Sequence, residues 1–164
     1  MAGGALWHQN TMTMKTLLPA LLLTLLTSAV HAQSRFPKQQ LSVNGFRNPS
    51  IGLEYQRYNL SVHAGYYVTN FESGVTTEFA KAGVTYWFAP VGKKENPSSF
   101  YAQLSYLRGT SREYKGVNAG SLDVGFRWMV WKGLHLRIGA LALVAPDKDV
   151  RINPTPGIGY AFTF

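Results

Sequence analysis

From about residue 40 to its end, the chain alternates apolar and polar side chains with period two, in segments of about ten residues separated by turn residues. A helix repeats every 3.6 residues; only an extended strand sends successive side chains to opposite faces. Each segment therefore reads as a β-strand with one apolar and one mixed face. A weaker first strand covers Gln40–Phe46. In the second, Ile51, Leu53 and Tyr55 oppose Gly52, Glu54 and Gln56. Leu60, Val62, Ala64, Tyr66 and Val68 oppose Ser61, His63, Gly65, Tyr67 and Thr69. Ala80, Ala82, Val84, Tyr86 and Phe88 oppose Phe79, Lys81, Gly83, Thr85 and Trp87. Phe100, Ala102, Leu104 and Tyr106 oppose Tyr101, Gln103, Ser105 and Leu107. Leu122, Val124, Phe126, Trp128 and Val130 oppose Ser121, Asp123, Gly125, Arg127 and Met129. Leu134, Leu136, Ile138, Ala140, Ala142 and Val144 oppose His135, Arg137, Gly139, Leu141 and Leu143. Finally Ile158, Tyr160, Phe162 and Phe164 oppose Gly159, Ala161 and Thr163.

The charges decide which face points where. On the apolar faces they occur only at strand ends, at Arg57, Glu78 and Arg108. Every mid-strand charge (Glu54, Lys81, Asp123, Arg127, Arg137) lies on the opposite face. A soluble ligand-binding barrel is apolar inside; this chain reads polar inside and apolar outside, as a membrane barrel must. Aromatic residues add two girdles, Tyr55, Phe88, Phe100, Trp128 and Phe164 at one end and Tyr66, Tyr106 and Tyr160 nearer the other. The expected fold is all-β, an eight-stranded antiparallel up-and-down transmembrane β-barrel. An even strand count returns both termini to the periplasm. Residues 57–59 and 131–133 then make short periplasmic turns. The connections 71–76, 109–116 and 146–156 fall outside, and 90–98 is a longer periplasmic connection than this pattern expects.

The N-terminus carries an export signal. Lys15 precedes a short apolar run over residues 17–26, and Val30 and Ala32 stand three and one before an expected cut after Ala32. The run is too short for a spanning helix, which needs about 20 residues. Residues 1–32 are thus read as an extension and cleaved signal peptide, with Met12 or Met14 a candidate start, and 33–164 as the barrel. Cysteine is absent, which excludes a lipoprotein anchor, a disulfide framework and a thiol nucleophile. The net charge of +8 loses only Lys15 on cleavage, yet no basic run exceeds Lys93-Lys94, so nucleic acid is not an expected partner.

An eight-stranded barrel is just wide enough to be filled by its own side chains, so no open channel is expected. Two inward guanidinium groups on neighbouring strands, Arg127 and Arg137, need a carboxylate, and Glu54 lies at a comparable height. A Glu54–Arg127/Arg137 cluster and a second pair, Lys81 with Asp123, are expected. Ser61 and His63, two residues apart and on one face, with Glu54 across the turn, are the candidate nucleophile, base and orienting acid. Arg112, Lys115, Lys148 and Arg151, among Glu113, Asp147 and Asp149, are candidate contacts for lipopolysaccharide phosphates. No metal site or cofactor is expected: His63 and His135 lie on non-adjacent strands, and no glycine-rich phosphate loop opens a helix.

The final segment, Gly159-Tyr160-Ala161-Phe162-Thr163-Phe164, resembles the terminal strand of bacterial outer-membrane barrels, which close on a C-terminal Phe after alternating hydrophobics. The whole mature chain is similar to the small eight-stranded class, meaning outer-membrane protein A-type barrels and the lipid A palmitoyltransferase and deacylase barrels. That resemblance implies location in the outer membrane, contact with its lipid, and a monomer. It does not carry over the deacylases' His-x-Ser pair, because the order here is Ser61-x-His63 and the segment at His135 lacks the Ser. The reading reached from sequence is a non-enzymatic barrel with a structural or envelope-interaction role, its lumen plugged by polar and charged side chains. The alternative is a lipid A-modifying enzyme.

Overall fold

A computed structural model describes residues 36–72 and 75–164. The expected signal peptide lies outside the described residues. Nine strand segments follow in order: β1 Gln40–Phe46, β2 Ile51–Arg57, β3 Leu60–Glu72, β4 Val75–Val91, β5 Ser98–Gly109, β6 Asn118–Trp131, β7 Leu134–Val144, β8 Arg151–Pro154 and β9 Gly157–Thr163. Strands β1 to β7 pair antiparallel in sequence order, and β9 pairs with β1 to close the sheet. Both β8 and β9 pair with β7, so they form one interrupted stave and the barrel has eight. The interruption falls at Thr155-Pro156, where proline brings no N–H to the ladder; the Thr155 amide still donates to the Gly139 carbonyl at 2.9 Å.

Closure is staggered. Followed one way round, Val43 aligns through β2 to β6 with Val144; followed the other way, through Tyr160, it aligns with Leu134, ten residues earlier on the same strand. Ten residues of stagger over eight staves tilts the strands by roughly 40° and leaves a narrow bore. Two directly paired glycines, Gly125 and Gly139, make room inside for the Tyr101 ring, whose hydroxyl sits where their Cβ atoms would be.

The alternation expected from sequence holds around the wall. Leu53, Val62, Val84, Leu104, Leu122, Val124 and Ile138 point outward and are exposed, while Glu54, Ser61, Lys81, Asp123, Arg127 and Arg137 point inward and are buried. Outside, a ring-to-ring chain of Phe88, Phe100 and Phe126 girdles the end that holds Phe36 and Phe164, here the terminal end. Near the opposite, loop end, Tyr66 and Tyr106 turn their hydroxyls to Glu78 and Asn118.

Three expectations need correcting. Residues 151–154, assigned to a loop, form β8, because Ile152 and Asn153 continue the two-residue alternation before the proline break. That lengthens the last stave at its loop end, so Tyr160, placed near the outer rim from sequence, pairs with Leu134 and packs on Phe162 at the terminal end. The connection assigned to residues 90–98 shortens to 92–97, since β4 continues past a bulge to Val91.

The lumen is also less uniform than a polar plug. Its terminal half is polar and charged, with Phe36, Trp87 and Tyr101 packed together below. Its loop half is apolar: Tyr67, Phe79, Leu107, Leu141 and Leu143 fill it, capped by Tyr114, which a short 3-10 turn in the 110–117 connection folds inward. Phe79 and Tyr114 meet edge-on with centroids 5.2 Å apart. Alternation alone assigned Tyr67, Phe79, Leu107 and Leu141 to the inner face but said nothing of their meeting across the bore.

Candidate functional site

The most concentrated chemistry in the molecule is the charged half of the lumen. Glu54, on β2, is met from across the bore by the Arg137 guanidinium on β7, with which it forms a buried ion pair. The Ser61 hydroxyl on β3 donates to its other carboxylate oxygen, and the Asn44 amide on β1 donates at 3.3 Å. Four staves thus converge on one carboxylate. A buried ion pair of this kind does not by itself stabilise a fold; its satisfied lone pairs make it tolerable.

Arg127 departs from expectation. It lies directly opposite Arg137 on the β6–β7 ladder, as the sequence indicated, but does not reach Glu54. One of its terminal nitrogens donates to Gln56 Oε1 at 2.9 Å, and its guanidinium carbon lies 3.8 Å from the Trp87 ring centroid. Trp87 also donates its indole N–H to Ser61 at 2.8 Å and lies 5.0 Å from the Arg137 guanidinium. One indole therefore meets both arginines, supplying cation–π attraction where a second carboxylate is missing.

The second expected pair, Lys81 with Asp123, is not direct. Asn48, in the turn between β1 and β2, reaches into the lumen between them: its carbonyl accepts from Lys81 Nζ at 2.8 Å and its amide donates to Asp123. Asp123 accepts further from Thr155 at 3.1 Å and from Tyr101 at 3.5 Å. A side-chain amide can serve ammonium and carboxylate together, because it carries both an acceptor and a donor. Asn48→Ala should strip a partner from each buried charge and cost about 1–3 kcal/mol. Urea unfolding of the refolded barrel checks this, and unchanged stability would remove Asn48 from the network.

Ser61, His63 and Glu54 do not assemble as nucleophile, base and acid. The hydrogen bonds of His63 go to Ser105 at 3.1 Å, Gln103 at 2.8 Å and Thr85 at 3.3 Å, none of them to Ser61. Ser61 instead bonds the carboxylate itself and is buried under Trp87. Two residues on one face two positions apart point the same way, yet their tips are separated by the neighbours each finds. His135 is likewise enclosed, bonded to Asn44 at 3.0 Å. Among the described residues no three His, Cys, Asp or Glu side chains gather as a metal site.

The four basic candidates at the loop end divide. Arg112 and Lys115 are exposed on either side of Tyr114. Lys148 pairs with Glu113 at 3.0 Å, tying the connection 110–117 to 145–150. Arg151 sits on β8 rather than in a loop, half-buried. At the terminal end the connection 92–97 lies against the mouth: Lys94 donates to the Met129 and Val130 carbonyls at 2.9 and 3.2 Å, and Asn96 to Gln40 at 3.1 Å.

Sequence reasoning missed Asn48, Trp87, Gln56 and Asn44. Trp87 carried a usable signal, an inward tryptophan on the same face as Thr85, Gly83 and Lys81; Asn48, in a turn, carried none. No protein-family model, curated protein or solved structure matches the chain.

Proposed function

We propose that this chain is an integral outer-membrane β-barrel protein of a bacterial envelope, with a sealed lumen and a structural or envelope-interaction role. One observation carries the reading: the outward surface is apolar around the whole circumference. Val62, Val84, Leu104, Leu122 and Ile138, on five consecutive staves, are 44% to 69% exposed. Soluble monomers rarely expose a contiguous apolar patch beyond a few hundred Å². A bilayer is the solvent that such a belt fits, with the aromatic rings at one rim and Tyr66, Glu78, Tyr106 and Arg108 at the other. The even number of staves and the location of Phe36 and Phe164 at one end suit periplasmic termini. Arg112 and Lys115, free at the loop end, would then face lipopolysaccharide phosphates. Ser61 is buried under Trp87, and the half-buried His63 bonds Ser105, Gln103 and Thr85 instead. The enzymatic alternative therefore has no nucleophile with a base beside it, and a non-enzymatic monomer in contact with lipid is the reading kept.

Heat-modifiable gel migration of the protein recovered from an outer-membrane fraction tests it. The unboiled band should run ahead of the boiled one, because a closed barrel resists detergent until heated. A soluble protein without this shift would overturn the reading.

A further inference from the structure

Among the described residues, five formally charged side chains are buried within the barrel: Lys81, Arg127 and Arg137 against Glu54 and Asp123. The cations outnumber the carboxylates by one. Glu54 is committed to Arg137, Ser61 and Asn44, and Asp123 to Asn48, Thr155 and Tyr101. The excess falls at Arg127. It is 0% exposed, and its Nε and one terminal nitrogen have no hydrogen-bond partner among the described residues. Directly opposite on β5, Ser99 is also 0% exposed, its hydroxyl unpartnered among the described residues. Three unused donor groups and one uncompensated positive charge therefore meet at a single cross-strand pair.

The sequence closes the obvious escape. Residues 1–53 contain no Asp or Glu, so none of them can supply the missing carboxylate side chain. Stacking on Trp87 offsets part of the charge but occupies the face of the guanidinium, not its in-plane N–H groups. An unpaired charge in a closed, low-dielectric bore is costly.

We infer that the lumen binds one small monovalent anion, of the chloride class, between Arg127 and Ser99. The donors are those an anion needs: two guanidinium N–H groups and a hydroxyl. The narrow bore of an eight-stave barrel favours a small ion over a larger oxyanion. The ion enters as the barrel closes, which makes it part of the folded structure. The inference rests on the lumen alone and stands whether or not the outward face contacts lipid.

The test is to refold the barrel from urea in sodium chloride or in sodium gluconate of equal ionic strength, gluconate being too large to enter. The chloride form should melt higher by on the order of 5 °C, with saturation as chloride rises. Bromide should replace chloride and give an anomalous peak within hydrogen-bond distance of Arg127 and Ser99. Arg127→Gln should abolish the halide dependence, and Ser99→Ala, which keeps the charge, should shift saturation to higher chloride. Equal melting in both salts with no bromide peak would overturn the inference, the donors then being served by water. Halide dependence that persists in Arg127→Gln would also overturn it, by placing the ion elsewhere.

Discussion

Glu54→Gln should lower the unfolding free energy of the barrel by about 3–5 kcal/mol, the range for removing one partner of a buried ion pair. The carboxylate is the meeting point of β1, β2, β3 and β7, and its loss leaves the Arg137 guanidinium buried with no counter-charge. The glutamine amide keeps one acceptor but turns N–H groups toward other donors, Ser61 or Arg137. Equilibrium urea unfolding of the barrel refolded in lipid vesicles gives the number. A second variant separates loss of charge balance from loss of shape: Glu54→Gln with Arg137→Met should be more stable than Glu54→Gln alone, because it withdraws the stranded cation. If the two changes instead add as independent losses, the ion pair is not the coupling element.

The outward face gives the other large effect. Leu104 stands at the centre of β5, paired with Val84 and Leu122 and 62% exposed. If this belt lies in hydrocarbon, Leu104→Arg should cost about 2–4 kcal/mol on folding into vesicles. On a water-exposed surface the same substitution would stay within about 0.5 kcal/mol. Arg108→Ala, at the rim of the same strand, is the control and should stay within that smaller range in either solvent. A near-neutral Leu104→Arg would leave the barrel closed but remove the bilayer from its description.

The wall of this molecule was legible from sequence because a strand's period of two converts directly into inside and outside. Each of Glu54, Lys81, Asp123, Arg127 and Arg137 fell on the face assigned to it. Contacts across the bore were not legible to the same degree. Stagger shifts every stave relative to the next, so residues that look level along the sequence, such as Glu54 and Arg127, fail to meet, while Gln56, one inward position away, meets Arg127 instead. Turns were the blind spot. Asn48 reaches inward from the β1–β2 turn and Tyr114 from the connection 110–117; no periodicity describes either segment. The last stave was read short for a related reason, since Pro154 and Pro156 resemble loop punctuation when they mark a break within a strand.

The fillings of the bore lie one behind another. Phe36 and the strap anchored by Lys94 lie at one mouth, the Glu54 and Asp123 networks span the middle, and the Tyr67, Phe79 and Tyr114 stack closes the far side. Resistances in series are set by the largest, so removing any single one leaves the passage shut. Such a molecule can lose one obstruction to mutation and keep its bore closed; if the barrel spans a membrane as proposed, that membrane's permeability barrier is protected from single-residue accidents inside it.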